Sequence, residues 1–224
     1  MLLEGIIFIF LIFLILCILK IYLFVIKKNN NNDDTKNVCD SIYNKNNNKK
    51  IKIIKNVFTY TFCDNIIKYS EKYASIHKWK TDRHEYYPTV DNQITPDWIM
   101  YDIILKEIKN NIFVNISKLY DVDVNKLDII EIFIVKYSIG GQTKLEYHKD
   151  GSEFSFVISL NNEFSGGGTF FKDNQQLIAL NIGDCVIFSG QNIHKAMQIN
   201  SGTRYILTGF IKYGDSEECD QYIL

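Results

Sequence analysis

From Leu127 onward the chain is written as short apolar stretches, each closed by a turn signal. It opens with the β-branched run Ile129-Ile130-Glu131-Ile132-Phe133-Ile134-Val135-Lys136-Tyr137. Turn-forming groups follow: residues 138–142 with Gly140-Gly141, then Asn161-Asn162, Gly166-Gly167-Gly168, Lys172-Asp173-Asn174, Ile182-Gly183-Asp184 and Asn200-Ser201-Gly202. Between them lie predicted strands at residues 144–150, 154–160, 169–172, 176–180, 184–188, 194–199 and 203–212. Strands this short and this closely spaced indicate a sandwich or a barrel. The expectation is a two-sheet jelly roll, a double-stranded β-helix. Its mouth offers a dry cavity where side chains from separate strands converge.

Four residues of this region belong together chemically. His148 and Asp150 are two apart, and in a strand such residues face the same side. Lys149 would turn away. His194, arriving from a distant strand, would complete two imidazoles and one carboxylate. That set suits non-haem Fe(II), because it leaves neighbouring coordination positions open. A 2-oxoacid could fill two of these and dioxygen the third. Arg204 offers a rigid fork of donors for a carboxylate, which would be the distal carboxylate of 2-oxoglutarate. It follows His194 by ten residues, so on a hairpin it would enter from the adjacent strand. Tyr137 or Tyr147 could add a hydroxyl there, and the strand before the turn favours Tyr137. His-x-Asp alone occurs by chance, and a strand arginine is usually structural; the ordered combination is what points to an iron site. His77 and His84 have no second ligand at metal spacing and read as surface or loop histidines.

The first half reads as support. Residues 51–60 form a predicted strand, and Thr61 a predicted N-cap for a helix from Phe62 to about Tyr73. Residues 79–94 read as an ordered loop. Thr95-Pro96 marks a second helix start, with a run to about Tyr120. Its stripe would be Trp98, Ile99, Tyr101, Ile103, Ile104, Ile108, Ile112, Ile116 and Leu119. Residues 6–26 are almost all apolar and, as a helix, would be about 30 Å long, enough to span a bilayer. No small-residue cleavage site follows, so a single-pass signal anchor is expected rather than a removed leader. The flanking charges Glu4, Lys27 and Lys28 weakly favour a cytoplasmic catalytic domain, but the side of the membrane stays open. The expected organisation is an anchor at 1–28, an Asn/Lys-rich flexible tether at 29–50, a helical support region at 51–126, the barrel at 127–214 and a tail at 215–224. Among the five cysteines no Cys-x-x-Cys pair occurs, so zinc is not expected. Cys185 reads as core, and a Cys39–Cys219 bridge stays open. The formal net charge of −1 and the lack of a basic aromatic patch argue against a nucleic-acid partner.

Residues 137–212 resemble the catalytic domain of Fe(II)/2-oxoglutarate dioxygenases, in the prolyl 4-hydroxylase and procollagen lysyl hydroxylase group. The similar motifs are Leu160-Asn161-Asn162…Phe164-Ser165-Gly166-Gly167-Gly168 and Gly202-Thr203-Arg204-Tyr205-Ile206. Phe62-Cys63-Asp64-Asn65-Ile66-Ile67 and Tyr87-Pro88-Thr89…Asp91 are similar to that group's helical region. The resemblance implies His148, Asp150 and His194 as catalytic iron ligands and Arg204 as the 2-oxoglutarate anchor. It also implies ascorbate dependence, and hydroxylation of proline or lysine in a polypeptide such as a collagen-like one, with 2-oxoglutarate converted to succinate and CO2. Arginine at the anchor is more like the lysyl hydroxylases. Val157 departs from them, since they carry an asparagine there. The competing expectations are a small-molecule oxygenase and a membrane-anchored binding module without turnover.

Overall fold

Among the described residues, eleven strands in two antiparallel sheets, flanked by helices, account for the turn-punctuated pattern. The computed structural model describes residues 16, 18–22 and 50–214. The chain divides into two compact units, 1–40 and 41–224. In the first, residue 16 and residues 18–22 are helical with exposed side chains. Most of the expected anchor, most of the tether, the tail and both cysteines of the Cys39–Cys219 pair lie outside the described residues. Among the described residues no helix is long and apolar enough to cross a membrane.

In the second unit the strands are β1 (Ile51–Ile54), β2 (Asp91–Gln93), β3 (Leu127–Ser138), β4 (Leu145–His148), β5 (Phe154–Ser159), β6 (Phe164–Gly166), β7 (Thr169–Phe171), β8 (Gln176–Ile178), β9 (Cys185–Ser189), β10 (His194–Ala196) and β11 (Ile199–Tyr213). The larger sheet runs β1-β9-β5-β11-β3-β2, with β6 also paired to β11; the smaller runs β4-β10-β7-β8. Phe133, Val135, Tyr137, Val157, Val186, Phe188 and Ile206 of the large sheet meet Phe171, Ile178 and Ala196 of the small one in a single core. Residues of the opposite parity, such as Ile134, Phe156, Ile158, Ile187 and Leu207, are buried as well, so the large sheet is covered on both faces. β5, central in that sheet, is buried at every position. Its two serines are satisfied: Ser155 Oγ lies 2.9 Å from Ser152 Oγ, and Ser159 Oγ donates to Asn161 O.

The helices begin elsewhere than predicted. Helix α1 (Tyr60–His77) is capped by Thr59, whose hydroxyl accepts from Phe62 N at 3.2 Å; Thr61 lies inside it. The Thr95-Pro96 start is also corrected. Thr95 to Trp98 forms a turn closed by Trp98 N to Thr95 O at 2.9 Å. The Thr95 hydroxyl donates to Asp97 and caps nothing. The helical rod starts at Tyr101: α2 (Tyr101–Glu107), a π turn at Ile108–Phe113, then α3 (Val114–Tyr120). Its buried stripe is Ile104, Ile108, Ile112, Ile116 and Tyr120, a strict repeat of four that overshoots the 3.6-residue turn. The wide π turn takes up the excess. Ile99 and Ile103 fall off that stripe and are exposed, while Tyr120 packs on Phe154 with ring centroids 4.7 Å apart.

Asp184 locks β1 to the barrel. Its buried carboxylate accepts from Lys55 Nζ at 2.7 Å, Asn56 N at 3.0 Å and Asn181 Nδ2 at 3.2 Å. Gly183 beside it has φ +78°, and a Cβ there would sit 2.0 Å from Phe58 O. Burial pushes the Asp184 carboxyl up, but Lys55 and the Asn56 amide push harder, so its pKa lies below the ordinary carboxylate value. A depressed pKa means that its stabilisation is present above the unfolded pKa of about 4 and is lost as pH falls through the folded value. Asp184→Ala is expected to lower unfolding free energy by about 2–3 kcal/mol at pH 7, and by less below pH 4, as measured by denaturant titration at both pH values.

Candidate functional site

The site forms where the small sheet ends. β4 and β10 are antiparallel neighbours, and His148 stands directly opposite His194. β4 stops at His148, so Asp150 is not on the strand, and the same-face expectation is corrected. Asp150 arrives from the turn beyond, where its N–H donates to Gly190 O at 2.9 Å. Lys149 is not turned away. It lines the cavity and donates to Gln191 Oε1 at 3.2 Å.

The three ligand atoms lie within 4.8 Å of one another. Asp150 Oδ1 is 3.5 Å from His148 Nε2 and 3.7 Å from His194 Nε2. Each imidazole places its other nitrogen against a backbone carbonyl: His148 Nδ1 to Glu146 O at 2.8 Å, and His194 Nδ1 to Asn192 O at 2.9 Å. These carbonyls can only accept, so Nδ1 carries a proton in both rings, and both Nε2 atoms face the carboxylate. That tautomer and orientation fit a divalent metal. Phe188 and Phe171 pack on the His194 ring, with centroids 4.8 Å and 5.8 Å away. Burial lowers the His194 pKa more than Asp150 raises it. For His148 burial also pushes down, but the Asp150 hydrogen bond and charge together push its pKa above the ordinary value. Burial pushes the Asp150 carboxyl up, and the two imidazoles hold it below the usual range.

Arg204 comes from the large sheet, not from a hairpin partner of β10. Residues 200–202, expected as a turn, belong to β11, which bends at an irregular register against β6. The bend at Gly202, φ +78°, brings the backbone so close to Glu163 O that a Cβ would lie 2.0 Å from it. Arg204 therefore pairs with Tyr137 on β3. Its guanidinium carbon lies 5.6 Å from the Tyr137 ring and 5.9 Å from the Phe164 ring. Arg204 is 4% exposed, and Nη1 is buried without a hydrogen-bond partner among the described residues. Burial pulls its pKa down, with only the Tyr137 hydroxyl opposing. A buried cation lacking a carboxylate is costly alone, so the residues present fit an anionic co-substrate.

A cavity of about 530 Å³ opens over His148, Asp150 and His194. Tyr137, Val135 and Phe133 line it from β3, and Ile206, Thr208 and Phe210 from β11, on the same strand face as Arg204. Burial pushes the Tyr137 hydroxyl up to about 12, against the pull of Arg204, so it stays a neutral donor. Tyr147 is not at this wall. It lies with Lys195 Nζ 4.6 Å and Lys172 Nζ 5.6 Å from its ring. His77 stacks on Tyr73 at 4.3 Å, away from the cavity. His84 lies in a loop, one of the two placements expected for it, and its ring packs 4.9 Å from Phe133 in the cavity wall, between Asp91 and Glu131. Beside it Arg83 bridges the same two carboxylates. Sequence spacing gave no hint of this group. The one available signal was Glu131, a lone charge inside an apolar strand that needs a partner.

No family model matches the chain. It is 37% identical over 93 residues to the 2-oxoglutarate and iron-dependent oxygenase domain-containing protein 2 of Danio rerio, covering 37% of this chain and 27% of that protein. It is 28% identical over 170 residues to the procollagen lysyl hydroxylase and glycosyltransferase of Acanthamoeba polyphaga mimivirus, covering 69% of this chain and 18% of that protein. The chain thus spans about a quarter or less of these curated relatives. Among solved structures, the viral collagen prolyl hydroxylase of Paramecium Bursaria Chlorella virus-1 superposes with a TM-score of 0.56 at 19% identity, over 73% of this chain and 96% of that one. That likeness shows the fold.

Proposed function

We propose, from the premise that this chain is an oxygenase of the Fe(II)/2-oxoglutarate group that includes the prolyl 4-hydroxylases and procollagen lysyl hydroxylases, that it hydroxylates a prolyl or lysyl side chain of a polypeptide. One observation carries the reading: three converging ligand atoms share a fold with a buried guanidinium, one nitrogen of which has no partner among the described residues. His148, Asp150 and His194 would hold the metal. Fe(II) with 2-oxoglutarate and dioxygen would supply the oxidation, converting 2-oxoglutarate to succinate and CO2 while one oxygen atom enters a substrate C–H bond.

The chain's own residues do the rest. Arg204 clamps the distal carboxylate of 2-oxoglutarate, and Tyr137, neutral at pH 7, donates a hydrogen bond beside it. Val157, Ala196, Leu145 and Ile206 make the adjoining wall apolar, which keeps water away and strengthens each charge interaction inside. A cavity of about 530 Å³ would admit a side chain on a longer chain. Polypeptide is preferred to small molecule because both matched hydroxylases are named for collagen.

The test incubates the full chain with Fe(II), 2-oxoglutarate and proline- or lysine-containing peptides. The expected result is a gain of about 16 Da, one oxygen atom, on one residue type, with an equal yield of succinate. Succinate without peptide oxidation would replace this reading with a small-molecule oxygenase. Binding of 2-oxoglutarate with no succinate at all would support a module without turnover.

A further inference from the structure

The cavity has a wall that the iron chemistry does not use. Residues 80–91 leave the sheet and return to the same point, where Lys80 and Asp91 exchange backbone hydrogen bonds at 2.9 and 3.0 Å. This is an Ω-type loop, a form that often carries function. Both of its legs are pinned. On the outgoing leg Arg83 Nη1 donates to Asp91 Oδ1 at 2.5 Å, and Nη2 donates to Glu131. On the returning leg Thr89 Oγ1 donates to Asp91 Oδ2 at 2.5 Å. Gln142, from the β3–β4 turn, accepts from Val90 N at 2.9 Å and donates to Pro88 O at 3.0 Å. A single fully buried carboxylate, Asp91, therefore ties both legs.

Between the pinned legs the tip projects over the cavity. Tyr87 packs on the metal-side imidazole of His148, with centroids 5.1 Å apart. Its neighbour Tyr86 lines the same cavity yet is 83% exposed. Burial of its ring does not explain a tyrosine there. A flat aromatic face at a cavity mouth suits an extended chain, proline-rich segments above all. The Arg83 clamp is also more than stability requires, since a buried ion pair is a weak stabiliser compared with an apolar substitute. It does give fixed geometry.

We propose that Arg83 is a positioning residue for substrate capture: by locking loop 80–91 to the sheet through Asp91 and Glu131, it holds Tyr86 at the cavity mouth, where the ring contacts the polypeptide. This rests on the polypeptide reading of the same site. Steady-state kinetics of the full chain with a hydroxylated peptide test it, using Tyr86→Ala, Arg83→Met and Arg83→Lys. Tyr86→Ala and Arg83→Met are each expected to raise the peptide KM about tenfold, while the 2-oxoglutarate KM stays within about twofold. Arg83→Lys is expected to restore little, because an ammonium lacks the fork that spans two carboxylates. Tyr86 is exposed, so its removal leaves no cavity and the variant folds. An unchanged peptide KM in Tyr86→Ala would overturn the proposal. So would Arg83→Met raising both KM values alike, the mark of general loosening. A wild-type chain that modifies no peptide removes the functional reading and this inference together; a wild type that does, with Tyr86→Ala unaffected, removes only this one.

Discussion

His148→Ala is expected to reduce 2-oxoglutarate turnover by about a thousandfold or more, equivalent to some 4 kcal/mol of activation. Two imidazole nitrogens and one carboxylate oxygen converge within 4.8 Å of one another. Removing one leaves a two-ligand site, which holds a divalent ion poorly. Asp150 keeps His194 at 3.7 Å, and the strand pairing of β4 with β10 runs through backbone groups, so the fold survives the change. Succinate assays, Fe(II) binding and thermal melting on one sample separate the effects. The expected pattern is lost turnover, weakened iron binding and a melting temperature within a few degrees of wild type. Retention of more than about a tenth of wild-type turnover with iron bound would show that His148 is not a ligand.

Arg204→Met is expected to raise the 2-oxoglutarate KM about a hundredfold, near 2.7 kcal/mol, the scale of losing a charge-assisted bidentate contact in a dry site. The second half of the prediction is less intuitive: the melting temperature should not fall. Arg204 Nη1 is buried without a partner among the described residues, and burial already disfavours the charged form. The compensation comes from the Tyr137 and Phe164 rings at 5.6 and 5.9 Å, about 0.5–2 kcal/mol of cation–π attraction. Methionine keeps much of the volume and removes the stranded charge. A buried arginine serving only the fold would behave in the opposite way, with lower stability and an unchanged KM. Melting curves beside 2-oxoglutarate titrations distinguish the two.

Much of the site was legible because its members are rare residue types at fixed places in a strand pattern. His148, Asp150, His194 and Arg204 could be named from order and spacing. The manner of their meeting could not. Asp150 lies past the end of β4, and a turn held by Gly190 O, not strand alternation, aims it at the imidazoles. Arg204 comes from the opposite sheet, paired with Tyr137 of the cavity wall, because β11 runs on past Gly202 along β3 instead of turning back on β10. Thr59 caps α1 where Thr61 was expected, since either threonine satisfies the local preference and only the helix's docking selects one. The Arg83–Asp91–Glu131 group was invisible, because its members come from a loop, a three-residue strand and a long strand.

What the sequence determined by itself was chemistry and class: turn residues at short intervals compel a layered β fold, and the sparse histidines, acid and arginine limit what that fold can bind. What the tertiary structure decided was which groups face one another across the cavity. Local preferences act over a few residues, whereas the pairing of β4 with β10 and of β11 with β3 joins residues 46 to 86 apart, as between His148 and His194 or between Leu127 and Tyr213 in the chain numbering. Such pairings are set by burying the shared core of both sheets at once, and no local pattern carries that information.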